Sequence, residues 1–445
     1  MAGRCLLISL SAVCIAMSLI AAGCSKSAPP PPAPKTIPAA RDEAVKSRQA
    51  AQAARKAKDP KAAAAASERA RLAAGVAAKL LAGPAHSASS GQATQPSDAN
   101  TAAQAAAEAR QAALLADLTA EDARLAELCG SWKARSYRTA RGLAVKAVFV
   151  SLAFAARRAA DPNAAAMPEQ LRAAADCAAS VAGVLTGRGN LPDGKPDWLG
   201  IAKDMDAFAA NPSPELAGLL AIGFLLAGQN RMALYEIEAV DPKLAVMPVK
   251  KTAYHLLRGV TCSMNGLPRL GTEQVEASAA AAGQDPNSFG PECLGTIHLY
   301  LAYDAFSRRD FTAADMQLSR AMRAWPDNPV CVFLTGERLA ADGRYEKAAE
   351  SLEKQAAGTE YEWLARRLTA RARQVRDQKG DAAPLFTDTG FLCDVMIHCV
   401  GEKAQQKAPR QLKGAIAAAR SLTQRVLDHL GPATETPAAT TQPRP

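Results

Sequence analysis

The chain has few aromatic residues and no sequence pattern typical of a β-strand. Aromatic side chains make up 5% of its 445 residues, and no stretch sustains the alternation of apolar and polar residues that a half-buried strand needs. Alanine is abundant throughout, and alanine is the strongest helix former. The sequence therefore predicts an all-α protein.

Motifs of catalytic and metal-binding chemistry are also missing. The five histidines have no partner at metal-ligand spacing, and neither His-Glu-x-x-His nor Gly-x-Ser-x-Gly occurs. Residues 189–195 fit the start of a phosphate-binding loop, but Pro196 follows where a hydroxyl side chain must bind magnesium. We predict no cofactor, no metal site and no catalytic residue. An enzyme site within 101–210 or 380–430 is the alternative.

The cysteines do not form a disulfide framework or a zinc site. The ten cysteines are widely spaced and include no Cys-x-x-Cys. Cys393, His398 and Cys399 are the nearest approach to a cluster, and a packed helix is favoured there over a thiolate–imidazole pair. The net charge of +10 is compatible with anionic lipid or cell-wall polymer, but solvated helix faces account for it more simply. We predict no nucleic-acid partner.

The N-terminus has the pattern of an export signal. One basic residue precedes an uncharged apolar run at 5–22, which small residues and a cysteine follow. This pattern predicts a cleaved signal peptide at 1–23, with an uncleaved membrane anchor as the alternative. The end of the run resembles the bacterial lipobox, although Ala21 stands where the lipobox prefers Leu. The resemblance implies diacylglycerol on Cys24, and Ser25 after it implies the outer membrane, with the protein body in the periplasm.

Composition divides the rest of the chain into segments. The most apolar of them outside the leader, 143–156, is too short and too charged to span a bilayer, so we predict a buried helix there. Asp59 and Pro60 predict a helix start. The predicted segments are a Pro-rich tether at 24–40, an Ala-rich helical pair at 41–82, a linker at 83–100, a helical region at 101–210, repeats at 211–380, C-terminal helices at 381–430 and a disordered tail at 431–445.

The repeats are recognised by a period of 34 residues near the C-terminal third. The matching pairs, each two copies of one position, are Phe311 and Tyr345, Ala314 and Ala348, and Leu318 and Leu352. Gly336 marks a close approach of two helices, and glycines at 228, 259, 266 and 271 continue the pattern irregularly upstream. The pattern resembles the tetratricopeptide repeat (TPR). The resemblance implies an array of helical hairpins, an α-solenoid, with the helix after residue 360 as its cap.

The TPR resemblance also implies a binding groove. The first helix of each repeat lines the concave face in that family, and the matching residues are Leu299, Tyr303, Phe306, Phe333 and Glu337. The groove implies a protein or peptide partner; the alternative is that these aromatic residues pack between repeats. An arginine cluster at 366, 367, 373 and 376 is interpreted as a solvated capping face, with an anionic partner as the alternative.

These features together predict a lipid-anchored periplasmic scaffold or adaptor that mediates protein–protein interaction at the bacterial cell envelope. Two other functions stay open at this point. One is an envelope enzyme whose site lies outside the repeats, and the other is a passive structural protein associated with the cell wall.

Overall fold

The structure, a computed structural model, is α-helical in all of its regular elements. It has sixteen α-helices and no β-strand in the residues that it describes, which confirms the all-α prediction. Those residues are 34–82, 96–161, 163, 167–188, 194–240, 248–284, 291–308, 310–326, 329–358, 362–377 and 410–431. The leader with Cys24, the cluster at 393–399 and the tail after 431 lie outside them.

Among the described residues, those up to Ala116 form one compact unit and those from Asp117 form the other. In the first, α1 (Ile37–Lys56), α2 (Pro60–Ala82) and the start of α3 (Pro96–Gly130) pack through small side chains. The Asp59 carboxylate accepts the N–H groups of Lys61 and Ala62, each at 3.0 Å, so the predicted helix start is confirmed. The buried contacts are almost all alanine, at 40, 44, 51, 66, 70, 73, 77, 102, 105 and 112.

Two boundaries differ from the sequence prediction. Helix α1 begins at Ile37, inside the predicted tether, because the Thr36 hydroxyl accepts the N–H of Ala39 and caps the helix at that point. Helix α3 begins at Pro96, inside the predicted linker, because proline fits the first turn of a helix.

The second unit contains the rest of α3 and thirteen further helices. They are α4 (Trp132–Ala159), α5 (Glu169–Thr186), α6 (Trp198–Ala210), α7 (Pro214–Leu226), α8 (Asn230–Ile237), α9 (Pro248–Met264), α10 (Pro268–Ala282), α11 (Pro291–Ser307), α12 (Phe311–Ala324), α13 (Pro329–Ala341), α14 (Tyr345–Ala356), α15 (Glu362–Asp377) and α16 (Arg410–Leu430).

Four consecutive helical hairpins, α7–α8, α9–α10, α11–α12 and α13–α14, share one turn. In each, the residue before the second helix donates its N–H to the carbonyl five residues earlier; the donors are Gln229, Leu267, Asp310 and Arg344. Gly228, Gly266 and Gly343 adopt positive φ at this turn, as the C-terminal cap of a helix requires. Each hairpin contacts the next along the chain, and α15 packs on α14.

The hairpins pack closely because small residues lie where their helices cross. The positions four residues after the turn donor are Ala233, Gly271, Ala314 and Ala348, and all are buried. In α9–α10 the backbones approach closely, since a Cβ on Gly271 would lie 2.9 Å from the carbonyl oxygen of Gly259. At Gly336 an added Cβ would lie 3.0 Å from Leu352 Cγ, which confirms the close approach predicted there.

The C-terminal helix α16 returns to the N-terminal side of the second unit. It packs on α4, α5 and α7 and buries Ala418, Ala419, Leu422 and Val426 in their core. At Gly223 an added Cβ would lie 2.5 Å from the carbonyl oxygen of Ala419. Helix α16 therefore does not extend the series of hairpins; it covers α7, where the series begins.

Candidate functional site

The predicted groove residues are mostly inside the structure. Leu299, Tyr303, Phe306 and Phe333 are 0%, 3%, 5% and 1% exposed, and all four belong to the core of the later hairpins. Glu337 lies on α13, and its side chain is outside the described set. Burial favours the packing alternative for the four apolar side chains, because large residues are needed where hairpins stack. A role for them in partner binding stays a prediction.

The predicted arginine cluster on α15 is paired with acids. Arg373 lies 3.2 Å from Glu353, and Arg376 contacts Asp377 at 2.8 Å and also Glu346. Arg366 pairs with Glu362 on its own helix. The side chain of Arg367 is not among those described. These exposed pairs favour the solvated capping face, since an anionic partner would have to compete with the carboxylates already present.

A cavity of about 320 Å³ in the second unit brings together side chains that sequence reasoning did not connect. Helix α4 supplies Tyr137, Arg138 and Arg141, and α8 supplies Tyr235 and Glu236. The turn between α6 and α7 closes a third side. The remaining lining residues are Pro212, Ser213, Pro214, Ala217 and Ala239.

Glu236 is the buried charge of this cavity, at 2% exposure. Arg141 donates Nε to its Oε1 at 2.8 Å and Nη2 to its Oε2 at 2.9 Å, and the Tyr137 hydroxyl donates to Oε1 at 2.6 Å. A bidentate arginine is the strong geometry for a carboxylate. Burial first, and then the negative charge of Glu236, raise the pKa of Tyr137 well above its usual range. The carboxylate thus accepts three hydrogen bonds, and the phenol stays a donor.

One polar group of the cavity is open to a ligand, and a second is buried in its wall. Arg138 is exposed and forms no ion pair within the described part of the chain. Ser213 begins α7 without capping it, and its buried Oγ makes no hydrogen bond to any described residue. Tyr235 adds an aromatic surface, with its ring centroid 5.5 Å from that of Tyr137. A guanidinium beside aromatic and apolar side chains suits a small anionic group with apolar neighbours.

The arrangement supports binding rather than proton transfer. A general base must reach the proton of a substrate, whereas Glu236 is 2% exposed and both of its oxygens are hydrogen-bonded to Arg141 or Tyr137. Within the described ranges no three His, Cys, Asp or Glu side chains are placed to hold a metal ion. The phosphate-loop-like segment lies largely outside those ranges, as do Cys393, His398 and Cys399.

One helix of the described chain, α4, has the length and apolar character to cross a membrane, and 44% of its apolar window is buried inside the protein. The sequence prediction of a buried helix is therefore right for one face only. Val148, Phe149 and Leu152 are fully covered, but Val150 and Phe154 are 51% and 55% exposed.

No protein-family model, curated protein or solved structure matches this chain. The class that its own geometry defines is an all-α protein with four consecutive hairpins of one turn type.

The cavity residues carried no local signal in the sequence, since Arg141 and Glu236 are 95 positions apart. The one available hint was the composition of α4, which has seven Lys and Arg and no acid.

Proposed function

We propose that this protein is a helical-repeat scaffold, anchored by a lipid on Cys24 at the periplasmic side of the bacterial envelope, that binds a protein partner. The observation that carries the proposal is the common turn of four consecutive hairpins, each in contact with the next. A hairpin cannot bury its apolar face alone, and stacking such units creates the extended surfaces that repeat proteins use for binding. The small residues at the helix crossings agree with a TPR-like array.

The proposed contact for the partner is the cavity between α4, α7 and α8. The aromatic residues predicted for the groove are buried, whereas Arg138 is open and unpaired among described residues. An acidic side chain or a C-terminal carboxylate of the partner would pair with Arg138. Arginine is enriched among the residues that dominate binding at protein interfaces.

Co-purification from detergent-solubilised membranes tests the partner contact. We expect one or more proteins to be recovered with the native chain, and Arg138→Glu to reduce the recovery at least tenfold, since it places like charges together. Arg172→Glu on α5 is the matched control, because Arg172 is exposed and does not line the cavity. If Arg138→Glu and Arg172→Glu recover equal amounts of the partner protein, the contact lies outside the cavity.

Labelled palmitate tests the anchor independently. The native chain should incorporate the label and fractionate with membranes, and Cys24→Ala should lose the label. Label that persists in Cys24→Ala would remove the anchor from the proposal and leave the cavity contact unaffected.

A further inference from the structure

Helix α4 presents an exposed apolar stripe. Leu143, Val150 and Phe154 are 70%, 51% and 55% exposed, and Trp132 at the start of the helix is 72% exposed. At about 3.6 residues per turn these positions, with the exposed Ala147, fall within an arc of about 60°. Large apolar side chains on a solvated helix face normally occur singly. Leu143, Val150 and Phe154 follow one another on this face over about three helical turns, and together they mark a contact surface.

The charges of α4 indicate what covers this stripe. The helix has no acidic residue. Lys133, Arg135 and Lys146 lie beside the stripe at helical spacing and form no ion pair among the residues described, and Arg157 and Arg158 continue the basic border, paired with Asp206 and Asp161. An apolar stripe with basic borders and a tryptophan at one end is the pattern of a helix that lies in the interface of an anionic bilayer.

We propose that the exposed face of α4 docks on the surface of an anionic lipid bilayer, independently of any lipid on Cys24. The helix lies along the surface rather than across it, because its opposite face is packed against α5, α6 and α16 and Lys146 interrupts its apolar run. A second copy of the chain fits less well, because two α4 stripes face to face would bring their basic borders together. The cavity with Arg138 is on the other side of the helix and stays accessible.

Vesicle flotation measures this docking directly. The chain from residue 24 with Cys24→Ser has neither leader nor lipid, and no described residue is removed. We expect it to float with phosphatidylglycerol–phosphatidylcholine vesicles, to bind pure phosphatidylcholine at least tenfold more weakly, and to dissociate in high salt because the attraction of basic residues to anionic lipid is screened.

Two double variants separate the stripe from charge alone. Val150→Glu with Phe154→Glu should weaken flotation at least tenfold. Met316→Glu with Met322→Glu changes the net charge equally at two exposed residues of α12 and should stay within about twofold of the parent. All four sites are exposed, so the far-UV circular dichroism and the urea midpoint of each variant check that folding is retained.

Three results would overturn the proposal. The parent chain could fail to bind anionic vesicles, or the α4 variant could bind as the parent does, or both variants could weaken binding equally. Light scattering gives the alternative outcome. If the parent chain binds no vesicles but forms a dimer, and if the double variant Val150→Glu with Phe154→Glu is monomeric, the stripe is a protein interface instead.

Discussion

Gly223→Ala tests the docking of α16 on α7. A Cβ at this position would lie 1.9 Å from Thr423 Oγ1 and 2.5 Å from the carbonyl oxygen of Ala419. The Thr423 side chain can rotate, but the carbonyl belongs to the backbone of α16. The added methyl group therefore forces α7 and α16 apart at Gly223.

Helix α7 also provides the matched control. Gly218 lies five residues earlier on the same helix, and an added Cβ there meets no atom within 4 Å. Alanine in place of glycine in a helix contributes about 0.5–1 kcal/mol of stability, and this gain applies to both positions. Overpacking of a well-packed contact costs about 1–3 kcal/mol. The free energy of unfolding of Gly223→Ala should therefore lie about 1–3 kcal/mol below that of Gly218→Ala.

Urea unfolding followed by circular dichroism gives this difference, and hydrogen exchange of peptides from 410–431 locates it. We expect faster exchange across α16 in Gly223→Ala and native exchange in Gly218→Ala, because the loss is local to the α7–α16 contact. Equal stability of the two variants, or native protection of α16 in both, would show that these backbones are not in contact.

Two further predictions concern buried polar groups. Glu236→Gln should destabilise the second unit by about 3 kcal/mol in urea unfolding, because it leaves the Arg141 guanidinium without its buried counter-charge. Asp206→Asn, which breaks the exposed pair with Arg157, should cost no more than about 1 kcal/mol. Equal losses of stability in the two variants would show that the buried pair contributes no more than the exposed one. Burial raises the pKa of Cys262 from its ordinary 9.0 to about 12, so the thiol loses its proton at a lower pH in the unfolded chain than in the folded one. The free energy of unfolding should therefore fall as pH rises from about 9 towards 12. Iodoacetamide at pH 8 should label Cys262 slowly in the folded protein and rapidly in urea, and rapid labelling of the folded protein would contradict the burial.

The sequence predicted those parts of the fold that depend on local pattern. Gly228 and Gly266 were visible in the repeat pattern because the positive φ of their turns favours glycine, which marks a single position in the sequence. Asp59 was visible for a similar reason, since a capping carboxylate lies beside the helix that it caps. Such contacts join residues a few positions apart, so spacing alone describes them.

Contacts between segments that are far apart in the sequence could not be predicted from local sequence pattern. The approach of Gly223 to Ala419 joins helices about two hundred positions apart, and neither residue is unusual in an alanine-rich helix. The cavity ion pair of Arg141 and Glu236 is equally remote in sequence. The aromatic residues of α11 show the converse difficulty, because Tyr303 has the register of a groove residue and is 3% exposed in the fold. Register gives the direction of a side chain, whereas burial also depends on what packs over it.

The two proposed contacts, with a protein partner and with a lipid surface, lie on opposite faces of helix α4. Its inner polar side chains are fixed by the three hydrogen bonds to Glu236, and this bonding holds the open Arg138 at the cavity. Its outer apolar side chains at 132, 143, 150 and 154 are 51–72% exposed and form the stripe. Because the absence of acids leaves basic residues on both sides, a negatively charged ligand and a negatively charged surface are attracted to opposite faces of the same helix. Substitutions at Arg138 and at Phe154 should therefore act separately, and a change in vesicle binding caused by Arg138→Glu as large as that caused by the Phe154 variant would show that the two faces are not independent.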